Sequence, residues 1–262
     1  MRAMGIAVMR GLVGAAVLAL ALPAPPVGRA EAADIKVLSA GAVRAIVTEL
    51  TPAFEKETGH KVSFEFGTAG QTRQRLASEP ADVVILPEPS LDEQIKQDRV
   101  VIGSRADIAR TGMGVGVREG APKPDISTTE AFKKALLAAK SITYVDPAQG
   151  ATSGVYFSGL LQSWGIADAM RPKTKLMPGG YPAELVAKGE VEMVVHQISE
   201  ILPVKGVTVV GPLPKDIQKV TTYSAGLASK ATAVEAARAY IAYLMSPPVR
   251  PKFAAAGLDY KE

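Results

Sequence analysis

Residues 35–47 read IKVLSAGAVRAIV, and the fold class follows from the change of period inside that stretch. Ile35, Val37 and Leu38 read as a buried strand, Ala40, Gly41 and Ala42 make a turn bare of side chains, and Val43, Ile46, Val47 and Leu50 recur at helical spacing. A strand that enters a helix through such a turn leaves the first backbone N–H groups of the helix unpaired. It also aims the positive end of the helix dipole, roughly half an elementary charge, beyond the strand's carboxyl end. That is a place for a negatively charged oxygen.

Upstream of this unit the chain has the features of an export segment. Arg2 and Arg10 give a basic start, Leu12 to Leu22 is an apolar run, and Pro23, Pro25 and Pro26 break it ahead of Ala30-Glu31-Ala32, an A-x-A cleavage pattern. The run is shorter than the roughly 20 residues of a spanning helix. A signal peptide over residues 1–32 and a periplasmic mature protein are therefore expected. The formal charge of +4 becomes +2 once Arg2, Arg10, Arg29 and Glu31 are removed. With no Lys/Arg cluster interleaved with aromatics, nucleic acid is not an expected partner. Cysteine is absent from the sequence, which excludes disulfides, thiolate metal sites, cysteine nucleophiles and a lipidated cysteine.

Downstream the scheme repeats. Lys61 to Phe66 alternates as a strand, Gly67-Thr68-Ala69-Gly70 is a second small-residue turn, and a helix follows through Leu76. Val83 to Leu86 is a continuous apolar run, as in a parallel strand covered on both faces. Pro52 is expected to bend the first helix or to start a second segment. Ser127-Thr128-Thr129-Glu130 reads as a capping box. Ile142 to Val145 leads through a third small-residue loop, Ala148 to Thr152, into Ser153-Gly154 and another helix. Further strands are expected over 173–177, 192–195, 207–210 and 220–228, with alanine-rich helix from 233. Alternating strands and helices predict a doubly wound α/β sheet, whose ligands sit outside the carboxyl ends of its strands.

Six segments in this order, VLSAGAVRAIVTELTPAFEKETGHKV, FGTAGQTRQRL, PADVVIL, YVDPAQGATSGVYF, GEVEMVVHQISEIL and YLMSPPVRPKFAAAGL, resemble the periplasmic molybdate-binding proteins of ABC importers. The resemblance covers essentially the whole mature chain. It implies a two-lobe type II periplasmic binding protein fold, with lobe 1 over residues 34–114 plus 221–262, lobe 2 over 115–220, and two crossing hinge strands near Val115 and Val220. It also implies a monomer that binds a tetrahedral oxyanion such as molybdate or tungstate in the interlobe cleft, without a further cofactor, and presents it to a membrane permease.

The family's ligand positions carry over only in part. Its serine at the first turn, beside Gly41, matches Ala42; its serine at the second matches Ala69, flanked by Thr68 and Gly70. A backbone donor at the third junction matches Ser153, next to Thr152. Its tyrosine aligns with Gln197, and Tyr181 on a neighbouring loop is a candidate substitute. A dianion taken out of water must be compensated by several charge-assisted hydrogen bonds. A site made only of donors favours a fully deprotonated oxyanion and disfavours monohydrogen phosphate, whose proton needs an acceptor. The alanines also leave room for a larger anion such as an organic acid, with Arg44, Arg73 or Arg75 as a cationic partner or simply on solvated helix faces.

Each feature has a plainer reading as well. Thr68, Thr152 and Ser153 are at positions where helix caps are common, His196 lies in an apolar strand as interior histidines do, and His60 follows a helix-ending glycine and is expected at the surface. No nucleophile elbow, H-E-x-x-H helix, metal motif or tight acidic pair is present in the sequence. A protein without catalytic residues or metal ligands is expected, acting in transport or delivering its closed form to a receptor kinase.

Overall fold

The computed structural model describes Met1 and residues 31–259; the expected export segment lies outside the described residues. The opening unit is β1 (Asp34–Ala40), a 3-10 turn (Gly41–Val43) and α1 (Arg44–Thr58). The turn's Ala42 and Val43, and Ile46, Val47 and Leu50 of α1, are buried under the sheet. Then follow β2 (Lys61–Gly67), α2 (Ala69–Ser78), β3 (Val83–Pro87), α3 (Glu88–Lys96) and a long β4 (Ala106–Arg118). The middle of the chain supplies α4 (Thr129–Ala138), β5 (Ile142–Val145), α5 (Thr152–Ser163), α6 (Ala167–Met170) and β6 (Thr174–Met177). The remainder is α7 (Ala183–Ala187), β7 (Met193–Gln197), α8 (Ile198–Ile201), β8 (Val207–Pro212), β9 (Val220–Leu227), α9 (Val234–Met245) and α10 (Arg250–Ala255).

Among the described residues the strands run in the order β2-β1-β3-β9-β4-β7-β5-β6, with β8 also paired to β4. β1 is parallel to β2 and β3, and β5 is parallel to β6 and β7. The two parallel groups are joined by antiparallel strands. The first half of β4 pairs with β9, and its second half, from Met113 to Val117, pairs with β7. The cores divide along the same strand: Ile108 and Ala109 of β4 belong to the cluster around β1, whereas Met113 and Val115 pack with Phe132, Phe157 and Met193. The mixed α/β class is the one expected.

Several local expectations are corrected. Pro52 does not divide the helix, which runs unbroken from Arg44 to Thr58; it lies on the exposed face, where the carbonyl it leaves unpaired stays in water. The capping box belongs to α2, where Thr68 accepts from the Gln71 backbone N–H and the Gln71 side chain accepts from Thr68. At α4 the cap is Thr128 alone, accepting from the Ala131 N–H. His60 is buried and accepts from the Ala33 N–H at 3.2 Å.

Candidate functional site

All three small-residue turns converge on one cleft. Its lining includes Gly41 and Ala42 from the first turn, Thr68 and Ala69 from the second, Thr152 and Ser153 from the third, and Tyr181 from the loop after β6. Neither the first turn nor α5 has a side-chain cap, so their leading N–H groups remain for a ligand. Close packing places α5: a Cβ on Gly154 would lie 2.1 Å from the Val145 carbonyl oxygen, so only glycine lets the helix start come this near β5.

Two of the expected residues fall elsewhere. Gly70 is not in the cleft lining; its N–H donates to the Gly150 carbonyl at 3.2 Å. Gln197 is buried beneath the cleft, where its amide donates to Thr221 Oγ1 at 3.3 Å and its own oxygen has no partner. Two hydroxyls expected to meet the ligand are already engaged. That of Thr68 donates to the Gln149 carbonyl while capping α2, and Ser153 Oγ lies 2.9 Å from His196 Nδ1.

The cleft also contains one of the three candidate arginines and a tyrosine that the sequence did not single out. Arg44, the first residue of α1, lines it with its guanidinium 5.2 Å from the Phe66 ring centre and 5.7 Å from that of Tyr181. Among the described residues no carboxylate is in ion-pair distance of Arg44, whereas Arg73 donates to Ser90 and Arg75 to the Phe66 carbonyl. A guanidinium held over ring faces keeps the N–H groups along its planar edge for a ligand. Tyr223 of β9 lines the wall close to where the resemblance looked for a tyrosine. Only tertiary structure brings a residue so late in the chain to the first turn.

The main departure from a site of donors is Glu200, in α8. It lines the cleft yet is only 7% exposed, and burial pushes its carboxyl up to about 8. Oε1 faces the first turn, where a Cβ on Gly41 would sit 2.7 Å from it. Oε2 lies 3.5 Å from His196 Nε2. Burial pushes His196 down to about 4, so the imidazole is neutral at pH 7. Burial first, and then the nearby Glu200 charge, push Tyr181 up to about 12. The wall therefore combines a fixed cation, backbone donors and a carboxyl that titrates near neutrality.

Comparisons with known proteins show the family and the fold. A family model described as bacterial extracellular solute-binding protein matches residues 35–259. A Pseudomonas sp. protein named aconitate isomerase is 38% identical over 219 residues, covering 81% of this chain and 82% of its own. The molybdate-binding protein ModA of Azotobacter vinelandii is 28% identical over 226 residues, 83% of this chain and 86% of its own. The solved periplasmic molybdate-binding protein of that organism superposes with a TM-score of 0.72 at 18% identity, covering 87% of this chain and all of that one. The type II periplasmic binding protein fold and the resemblance to molybdate-binding proteins stand. The expectation of a chain with no enzymatic role does not, because a relative at 38% identity over most of the chain is named as an isomerase.

Proposed function

The chain belongs to the bacterial extracellular solute-binding protein family, and on that premise we propose that its cleft binds a small unsaturated polycarboxylate and moves a proton along it. The observation that carries this reading is Glu200. An inorganic dianion needs donors; a carboxyl that exchanges its proton near pH 8 matches the task of a general base that must also return what it takes. Arg44 anchors one substrate carboxylate through its free edge, and the backbone N–H groups at the first and third turns receive others. In its carboxylate form Glu200 removes a proton from a carbon next to the substrate double bond. The electron pair of that C–H bond delocalises across the three-carbon unit, and Glu200 returns the proton to the far carbon. The double bond has then moved, with no net change in atoms or electrons and with Glu200 restored. The relative named aconitate isomerase supports this class, since aconitate is an unsaturated tricarboxylate.

The test is to incubate the purified chain with cis- and with trans-aconitate and follow the olefinic protons by NMR. Interconversion is expected, with Glu200→Gln lowering kcat by about 10² to 10⁴-fold and leaving KM nearly unchanged. Failure to convert either isomer would end the reading.

A second reading is favoured by the bare turns and by the molybdate-binding relative: capture of a tetrahedral oxyanion for delivery to an ABC permease. In either case residues 34–114 with 221–262, and residues 115–220, act as lobes that close by hinge motion, and closure is driven by the better fit of ligand to the closed state. A ligand that binds only the folded chain raises its melting temperature as ln(1 + [L]/Kd) grows. Shifts with molybdate and tungstate alone support the second reading; shifts with tricarboxylates alone support the first.

A further inference from the structure

In the cleft wall three buried polar side chains stand in a row. Ser153 at the start of α5 meets His196 Nδ1 at 2.9 Å, and His196 Nε2 meets Glu200 Oε2 at 3.5 Å. Ser153, His196 and Glu200 are 3%, 2% and 7% exposed. Nε2 makes no hydrogen bond among the described residues, Glu200 Oε2 being the carboxylate oxygen beside it, and the Gly180 carbonyl, which can only accept, also lies beside the ring. A neutral imidazole carries one N–H, and the partner of one nitrogen decides what the other presents.

The two tautomers are not equivalent for Glu200. With its proton on Nε2, the ring offers a donor that Oε2 accepts whether the carboxyl is ionised or protonated. With the proton on Nδ1, a bare Nε2 faces Oε2, which suits the acid form and leaves the carboxylate facing a lone pair. Only the first arrangement lets Glu200 cycle. We propose that Ser153 and His196 are positioning residues: the Ser153 hydroxyl donates to Nδ1, keeps the ring proton on Nε2, and Nε2–H holds Oε2 so that Oε1 alone exchanges a proton with the substrate. This rests on Glu200 as the proton carrier, and it gives Ser153 a role other than ligand donor. The other titratable groups facing Glu200 are Tyr223 from β9 and Tyr181 from the loop after β6. Both stay protonated through the neutral range, so His196 is the partner that discriminates.

The sequence contains two histidines, so a His60→Gln variant assigns both ring spectra. In ligand-free protein at pH 7, ¹⁵N shifts are expected to show His196 as the neutral Nε2–H tautomer. Ser153→Ala should mix the tautomers and move the Glu200 carboxyl infrared band to titrate at higher pH by about one unit. The rising limb of kcat/KM should follow it, with KM unchanged. His196→Gln, whose amide retains a donor, should restore part of the shift. An Nδ1–H tautomer in the unmodified chain, or a Ser153→Ala variant with unmoved tautomer and Glu200 titration, overturns the assignment. If aconitate is not converted while the spectra behave as expected, the reaction is wrong and the relay stands.

Discussion

Glu200 and His196 lie side by side and are displaced from their ordinary values in opposite directions, and stability should report it. Glu200 is raised from 4.5 to about 8, so the folded chain keeps a proton the unfolded chain has released, and stability is lost as pH rises toward 8. His196 is lowered from 6.5 to about 4, so its contribution is complete above 6.5 and is lost as pH falls toward 4. The two slopes cancel between about 4.5 and 6.5 and leave the Glu200 loss alone above that window. Melting curves across pH should therefore show Glu200→Gln gaining on the unmodified chain steadily from pH 4.5 to 8; parallel curves would contradict the burial argument. Arg44→Ala should weaken tricarboxylate binding by about 10 to 100-fold, the worth of charged hydrogen bonds. Arg44→Lys should recover little, since an ammonium neither stacks between Phe66 and Tyr181 nor presents a planar edge. Isothermal titration with tricarballylate, which has no double bond to shift, measures both. Arg44 was legible only as one of three candidate arginines, with Arg73 and Arg75, each equally readable as a solvated helix face. Glu200 was not: in sequence it is one acidic residue among 26 Asp and Glu.

At the level of elements, α5 offers a paired test. Gly154 touches the Val145 carbonyl, whereas a Cβ on Gly159 meets nothing within 4 Å. Gly154→Ala should cost about 2–3 kcal/mol by forcing the helix off β5, and Gly159→Ala should gain about 0.5–1 kcal/mol as a helix-interior glycine replaced by the best helix former. Urea midpoints distinguish them; equal effects would mean that the helix start is free to shift. The sequence supported most elements because strand alternation and helical spacing are local signals. Their ends were less legible. Thr68 and Gln71 satisfy each other at α2, but Thr128 stands alone at α4, because a cap is set by which backbone N–H groups the turn leaves open. α3 carried no comparable signal after its strand and was not foreseen.

Across the whole molecule, several contacts between the two halves lie where the second and third small-residue turns meet. The Gly70 N–H donates to the Gly150 carbonyl, and the Gln71 amide donates to Gln149 Oε1 at 3.2 Å and to the Pro178 carbonyl at 3.3 Å. A Cβ on Gly70 would lie 2.6 Å from the Gln149 carbonyl oxygen. Gly70→Val should therefore hold these turns apart: a larger radius of gyration by small-angle scattering in saturating ligand, weaker ligand binding, and little change in ligand-free melting temperature. An unchanged radius and affinity would show that this contact does not limit closure. Gly70 was read as a ligand-binding residue, whereas the structure sets it against the Gln149–Gly150 backbone. By itself the sequence determined the α/β class and the three small-residue turns that open helices, because these depend on residues a few positions apart. Tertiary structure decided which hydroxyls were already engaged, that Arg44 faces the cleft, and that Glu200 lies buried between His196 and the first turn. Those properties depend on desolvation and on contacts between elements far apart in the chain, such as Thr68 with Gln149 and Glu200 with Gly41, and no local pattern encodes them.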